Sequence, residues 1–267
     1  MTDGVLTNML IGPQISPAEA ALASRASALR AAIADAALRA GRSDDCITLI
    51  AVSKGHGAEC VRAAAALGIT DVGESYLQEA AAKRAALKGL PLIWHFIGRL
   101  QANKSRAVAE QFDWVHGLDR PDIAARLSAQ RPAALAPLNV CIQLNIAGEV
   151  GKGGVAPEAL SALADRVLQL PRLRLRGLMC ILPADLGAER NRRLFAGVCE
   201  QLRRLNQEGR ALDVLSMGMS SDFVEAVAQG ATHLRIGTAL FGARQTGRAG
   251  NSGPEDAAPP PSASGLG

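Results

Sequence analysis

Residues 47–67 read ITLIAVSKGHGAECVRAAAAL. The first six are almost wholly β-branched or aliphatic, the composition of a strand buried on both faces. A turn follows, Ser53 to Gly57, and then an Ala-rich stretch with the spacing of a helix. Strand, short turn and helix make one βα unit, and the pattern repeats on either side of it. Strands are predicted at 47–52, 70–72, 92–96, 114–116, 138–145, 173–179, 211–215 and 233–236. Helices are predicted at 57–67, 75–88, 101–110, 120–131, 156–169, 187–209 and 221–229. One more helix stands in front. Ser16-Pro17 opens it with a cap and a proline at its first position, and Gly41 stops it. Alternation of this kind implies parallel strands with helical crossovers. Eight units in about 200 residues fit a single closed (β/α)8, TIM-like barrel. An open doubly wound sheet would carry a glycine-rich dinucleotide turn after its first strand, and none is present.

The remaining chain divides accordingly. Residues 1–15 are expected to be a flexible lead, 16–244 the barrel, and 245–267, a Pro/Gly/Ser/Ala-rich run without apolar period, a disordered tail. Of 267 residues, 48% are hydrophobic and 20% charged, which excludes disorder throughout. No run of about 18 apolar residues offers a membrane span, and the N-terminus lacks the basic and apolar regions of a secretory signal. Five cysteines without a CxxC pair indicate neither a zinc site nor a disulfide framework, so reduced buried thiols in a cytoplasmic protein are expected. The net charge of +4 is spread along the chain, and arginines 190, 192, 193, 203 and 204 read as a solvated helix face. With 3% aromatics there is little to stack bases on, so no nucleic-acid partner is expected. The only lysines are Lys54, Lys83, Lys88, Lys104 and Lys152, so a lysine at a special place is informative.

Function in such a barrel sits at the C-terminal ends of the strands. Lys54 ends the first. Desolvation there would free its amine as a nucleophile toward a carbonyl; alternatively its stem lies over the rim with the head in water. After the seventh strand, Leu215 to Asp222 read LSMGMSSD, small residues at a helix start that suit a phosphate. After the eighth, Gly237 permits close backbone approach and Thr238 offers a hydroxyl. Loops seven and eight hold phosphate in many barrels; each alone could equally be an ordinary cap or turn. Arg235, two residues before Gly237, points into the barrel and needs a partner there. A ligand with an aldehyde, a phosphate and a third acceptor would satisfy all three groups. Pyridoxal 5′-phosphate (PLP) has them; a sugar phosphate fits less completely.

The blocks LIAVSK, GESYLQE, WHFIGRLQANK, FDWVHGLDR, CIQLNIAGEVGKGG, LRGLMCI, LSMGMSSDF and HLRIGTALFGAR, in order over roughly 16–244, resemble the YggS/PROSC family of PLP homeostasis proteins. That family is similar in fold to the N-terminal barrel of alanine racemase, PLP fold-type III. The resemblance implies Lys54 as the Schiff-base lysine, Ser220, Gly237 and Thr238 around the phosphate, and Arg235 at the pyridine nitrogen. Met217, Gly218, Asn145 and His95 are further candidates for the cofactor pocket. For His95, at the end of the third strand, and Asn145, at the end of the fifth, satisfaction within the barrel top is the competing reading. For Met179 and Met217 the competing reading is filling of the rim. The chain departs from the family pattern at Ser75 (usually Asn), Arg99 (usually Pro), His56 (often Lys), Val224 (often Glu) and in Lys152-Gly153-Gly154.

By that resemblance the expected function is intracellular PLP homeostasis: buffering, carrying or supplying the cofactor, with PLP-dependent apo-enzymes as recipients, as a monomer and without robust catalysis. Racemases of this fold add a tyrosine acid/base from a C-terminal β domain, whereas no tyrosine lies beyond Tyr76 here. The alternatives are an amino-acid racemase or other fold-type III PLP enzyme, marked by a second acid/base facing the lysine, and a colourless Schiff-base aldolase. No metal is expected.

Overall fold

Ser16 starts the first helix by a reciprocal cap: the Glu19 N–H donates to Ser16 Oγ (3.2 Å) and the Ser16 N–H to Glu19 Oε2 (2.9 Å). The computed structural model describes residues 16–243. The expected flexible lead and disordered tail lie outside those residues. Helix α1 (Pro17–Arg39) buries Leu22, Ala26, Leu29, Ile33 and Ala36 as one stripe. The units then follow: β1 (Thr48–Val52), α2 (Ala58–Ala66), β2 (Asp71–Glu74), α3 (Leu77–Ala86), β3 (Ile93–Phe96), α4 (Ser105–Gln111), β4 (Trp114–Leu118), α5 (Pro121–Gln130), β5 (Leu138–Gln143), α6 (Leu160–Leu168), β6 (Leu173–Met179), α7 (Ala188–Gln207), β7 (Val214–Ser216), α8 (Phe223–Ala228), β8 (His233–Ile236) and α9 (Thr238–Phe241). All eight strands are parallel and close in sequence order, β8 pairing with β1. The predicted barrel is the observed one, with a short helix after β8 that the sequence reading lacks.

Because α8 and α9 span only six and four residues, the outer face near β8 is thinly covered. Helix α1 packs over both. Arg25 Nε donates to the Leu240 carbonyl (2.8 Å), and Arg42 donates to the carbonyls of Val227 and Ala231 (2.9 Å each).

Register decides which side chains fill the barrel. Ile50 is level with Arg235, Val52 with Gly73, Gly73 with His95, His95 with Trp114, and Ser216 with His233; all point inward. The main apolar core lies outside them, between sheet and helices. Within the interior, Trp114, Cys141, Met179 and Val214 form a small apolar cluster. Gly177 makes that closure possible: a Cβ there would lie 1.9 Å from the Val214 carbonyl oxygen.

Several boundaries differ from expectation, two of them for plain local reasons. Strand β7 begins at Val214, not 211, because the Asn206 amide takes both the N–H and the carbonyl of Leu212 (2.8 Å each). Helix α8 begins at Phe223, not 221, because Asp222 Oδ1 accepts the Met219 N–H (2.6 Å) and folds the preceding residues into a turn. The cysteines are all free, but only Cys141 and Cys180 are buried; Cys46 is exposed, and Cys60 and Cys199 are half-buried. The α7 arginines are exposed, as expected, with Arg203 paired to Glu200 and Arg192 to Glu225.

Candidate functional site

The C-terminal mouth of the barrel gathers groups from β1, β7 and β8. Lys54 follows β1, is half-buried, and places Nζ 6.0 Å from the ring centroid of Tyr76, the N-cap residue of α3. Gly237 follows β8 against the same strand: a Cβ on it would lie 3.3 Å from the Val52 carbonyl oxygen. Ser220, in the turn after β7, accepts the Ala239 N–H on its hydroxyl (3.2 Å). That bond joins the turn to the start of α9, where Thr238 is exposed. Lys54, Ser220, Gly237 and Thr238 therefore share one end of the barrel.

Below them Arg235 is buried, 4% exposed. Its guanidinium donates to the Ser216 carbonyl (2.6 Å), the Ser216 hydroxyl (2.8 Å) and the Cys180 carbonyl (2.7 Å), all neutral acceptors. Burial lowers its pKa from the ordinary arginine value, yet a guanidinium stays charged in proteins.

From Ser216 a hydrogen-bonded chain runs down the interior. Ser216 Oγ lies 2.8 Å from His116 Nδ1, His116 Nε2 lies 2.9 Å from His95 Nδ1, and His95 Nε2 lies 2.9 Å from Asp71 Oδ1. For neutral imidazoles the Asp71 end fixes the direction. A carboxylate only accepts, so His95 Nε2 carries its proton and Nδ1 accepts from His116 Nε2–H. His116 Nδ1 then accepts the Ser216 hydroxyl proton, and Ser216 Oγ accepts from Arg235. Donation runs one way, from the guanidinium to a carboxylate at the barrel floor. Burial, reinforced by His95 and Arg235, pushes the His116 pKa well below the ordinary histidine value. Asp71, 19% exposed at its side chain, lines an open cleft of about 330 Å³ with Arg30, Thr48 and Thr70.

Three of the cofactor-pocket candidates have side chains directed elsewhere. Met217 is fully buried in the layer between sheet and helices, because Ser216 takes the inward position and the next residue points out. Asn145 lies beyond β5, and its side chain closes its own loop: Nδ2 donates to the Glu149 carbonyl (2.9 Å) and Oδ1 accepts the Glu149 N–H (3.1 Å). His95 is buried in the interior and reaches Arg235 only through His116 and Ser216. Gly218 has a packing reason of its own, with φ +96° and a Cβ position 2.7 Å from that of Ala226. Met179 faces inward as a rim filler would. Of the departures, Ser75, His56 and Arg99 lie in loops at the mouth, while Val224 packs on the core from α8. Sequence reasoning missed His116, Ser216, Glu74 and Lys83. Strand parity marks His116 and Ser216 as inward, and a buried acid ending β2 was the available signal for Glu74.

A family profile for the alanine racemase N-terminal domain matches residues 25–245. A pyridoxal phosphate homeostasis protein of Pseudomonas aeruginosa is 53% identical over 226 residues, 85% of this chain and 97% of the relative. This chain belongs to the pyridoxal phosphate homeostasis protein family. The family member of Escherichia coli K12 is 46% identical over 226 residues, covering 84% of this chain and 97% of its own length. Among solved structures, PipY of Synechococcus elongatus with PLP bound is 39% identical and superposes with a TM-score of 0.73, over 83% of this chain and 100% of PipY. Among the described residues no helix is long and apolar enough to cross a membrane, and no group of His, Cys, Asp or Glu is arranged to hold a metal.

Proposed function

We propose that this chain binds pyridoxal 5′-phosphate at the C-terminal mouth of the barrel and acts in intracellular PLP homeostasis, buffering the cofactor, carrying it, or supplying it to PLP-dependent apo-enzymes. The observation that carries the reading is Arg235. A buried cation whose hydrogen bonds all go to neutral oxygens suits a ligand that brings an acceptor, and the PLP ring nitrogen is one. The rest of the donor set fits the same molecule. Lys54 offers an amine for the aldehyde, while the Ser220 hydroxyl, Gly237 and Thr238 stand where the phosphate would sit. Relatives named for PLP homeostasis and PipY with PLP bound support the reading.

Bound there, PLP supplies an aldehyde that an amine takes up reversibly. Lys54 Nζ would hold it as a Schiff base, one C=N bond formed and one water released. Arg235 would donate to the ring nitrogen, and the ordered chain behind it keeps the guanidinium in place as a donor. A ring nitrogen that accepts and stays unprotonated is a poor electron sink, so the geometry suits holding the cofactor more than robust catalysis on it.

The test is a visible spectrum of the PLP-loaded protein before and after borohydride, followed by peptide mapping. The expected result is a band that borohydride removes and a pyridoxyl label on Lys54. A label mainly on Lys83, Lys104 or Lys152, or no PLP uptake, overturns the assignment.

A further inference from the structure

Helix α3 carries a buried ammonium that the cofactor reading does not use. Lys83 is 7% exposed at its side chain and meets Glu74, which is fully buried, at 2.5 Å. The same Nζ donates to the Ser53 carbonyl (2.7 Å) and lies 3.3 Å from the Ser53 hydroxyl, which itself bonds to Glu74 Oε1. One turn earlier on α3, Glu79 Oε2 accepts the Gly55 N–H (3.0 Å) and lies 3.6 Å from Lys83 Nζ. The Ser53 carbonyl and the Gly55 N–H belong to the two peptide groups that flank Lys54. A cation and an anion one turn apart on one helix thus grip the backbone on both sides of the lysine.

Stability alone does not account for this arrangement. A buried ion pair seldom outperforms apolar side chains of the same volume, because desolvation offsets the attraction. Here the pair is also incompletely satisfied: Glu74 Oε2 has no hydrogen-bond partner, and burial raises the pKa of Glu74 against the pull of Lys83. What the pair does accomplish is directional. The ammonium's donors converge on Ser53 and its counter-ion, and Gly55, with φ +77°, turns the chain so that its N–H meets Glu79.

We propose that Lys83 and Glu79 are positioning residues that set the reach of Lys54 toward an aldehyde in the barrel mouth. Neither touches the ligand. The inference rests on the cofactor reading above. It separates two parts of binding: ring and phosphate recognition by β7 and β8, and covalent capture by a lysine held from α3.

Two ligands test it. PLP can condense with Lys54; pyridoxine 5′-phosphate has the same ring and phosphate, with a hydroxymethyl group in place of the aldehyde. Both are titrated into wild type, Lys83→Met and Glu79→Ala. The expected result is a fall in PLP affinity of about tenfold or more in Lys83→Met, with slower growth of the borohydride-sensitive band, while pyridoxine 5′-phosphate affinity stays within about twofold. An equal fall for both ligands means a general structural role and overturns the proposal, as does unchanged PLP affinity. If Lys83→Met does not fold, Glu79→Ala decides: it releases the Gly55 N–H and the 3.6 Å contact to Lys83 from a half-exposed carboxylate, leaves the bonds of Lys83 to Ser53 and Glu74 in place, and must still weaken PLP at least threefold more than the other ligand. A wild-type protein that takes up pyridoxine 5′-phosphate but forms no Schiff base overturns the inference and leaves the binding site standing. One that takes up neither ligand overturns both.

Discussion

His233 opens β8 inside the barrel, 9% exposed, with the Trp114 ring 5.1 Å away and those of His95 and His116 at 6.4 and 6.3 Å. Burial, helped by His95 and Arg176 and opposed by Asp71 and Asp213, pushes its pKa down from 6.5 to about 4. The unfolded chain takes up this proton at about 6.5. Between those two values the unfolded state binds more protons than the folded one, so stability falls as pH falls. One pKa unit is worth about 1.36 kcal/mol, so at pH 5 the loss from His233 alone reaches about 2 kcal/mol relative to neutral pH. His116, shifted in the same direction, adds to it. The assay is urea unfolding of wild type and His233→Gln at about pH 7.5 and about pH 5. The variant forfeits the contact to Thr232 Oγ1 (3.0 Å) at both pH values, so that cost cancels in the difference. Wild type should lose about 2 kcal/mol more than the variant on acidification. Equal losses would show that His233 takes up its proton at the same pH in the folded barrel as in the unfolded chain, and the reasoning from burial would be wrong.

Ser216→Ala removes the hydroxyl that accepts from Arg235 and donates to His116. It should lower stability in urea by about 1–3 kcal/mol, and an unchanged midpoint would show that the interior chain is not continuous. Arg235→Ala should weaken PLP roughly ten- to a hundredfold, as expected for a lost bond to a charged donor, and Arg235→Glu should weaken it further. Equal titrations of all three proteins would mean that the guanidinium does not face the ligand.

The strands were legible because their apolar runs have no other physical use, and the barrel followed from their alternation with helices. Lys54, Arg235 and Gly237 were legible for a second reason. Each is fixed by its own strand, at its end or by parity, and needs no knowledge of a neighbour. Met217 was misplaced where that parity was not applied: one step past the inward Ser216 reverses the face. Asn145 was misplaced because the fifth strand stops at Gln143, and an asparagine in a tight loop satisfies its own backbone. The two buried networks were not legible, because the interior one depends on relative height between strands and the other on how α3 lies against the ends of β1 and β2. His95 and His116 are separated by 21 residues, and His116 and Ser216 by 100. Nothing in one strand's pattern states which level of another strand it will meet.

The two networks meet different requirements of the proposed site. A barrel interior is ordinarily filled by layers of branched apolar side chains. Here Asp71, His95, His116, Ser216, Arg235 and His233 occupy inward positions, and all but Asp71, which stays partly exposed at the floor, must be stripped of water. A cation at one end of a column and an anion at the other satisfy every intervening group only if all the bonds point one way. With neutral imidazoles this column has one arrangement of protons that leaves no partner mismatched, and in it Arg235 is a donor with a fixed aim. In the proposed site Lys54 would need the opposite property, a long side chain free to reach and react, so control falls on its backbone. The grip of Lys83 and Glu79 on its two flanking peptides does that without occupying the amine. Rigid recognition of a ring from β8 and a restrained but mobile amine from β1 are what reversible capture of an aldehyde requires.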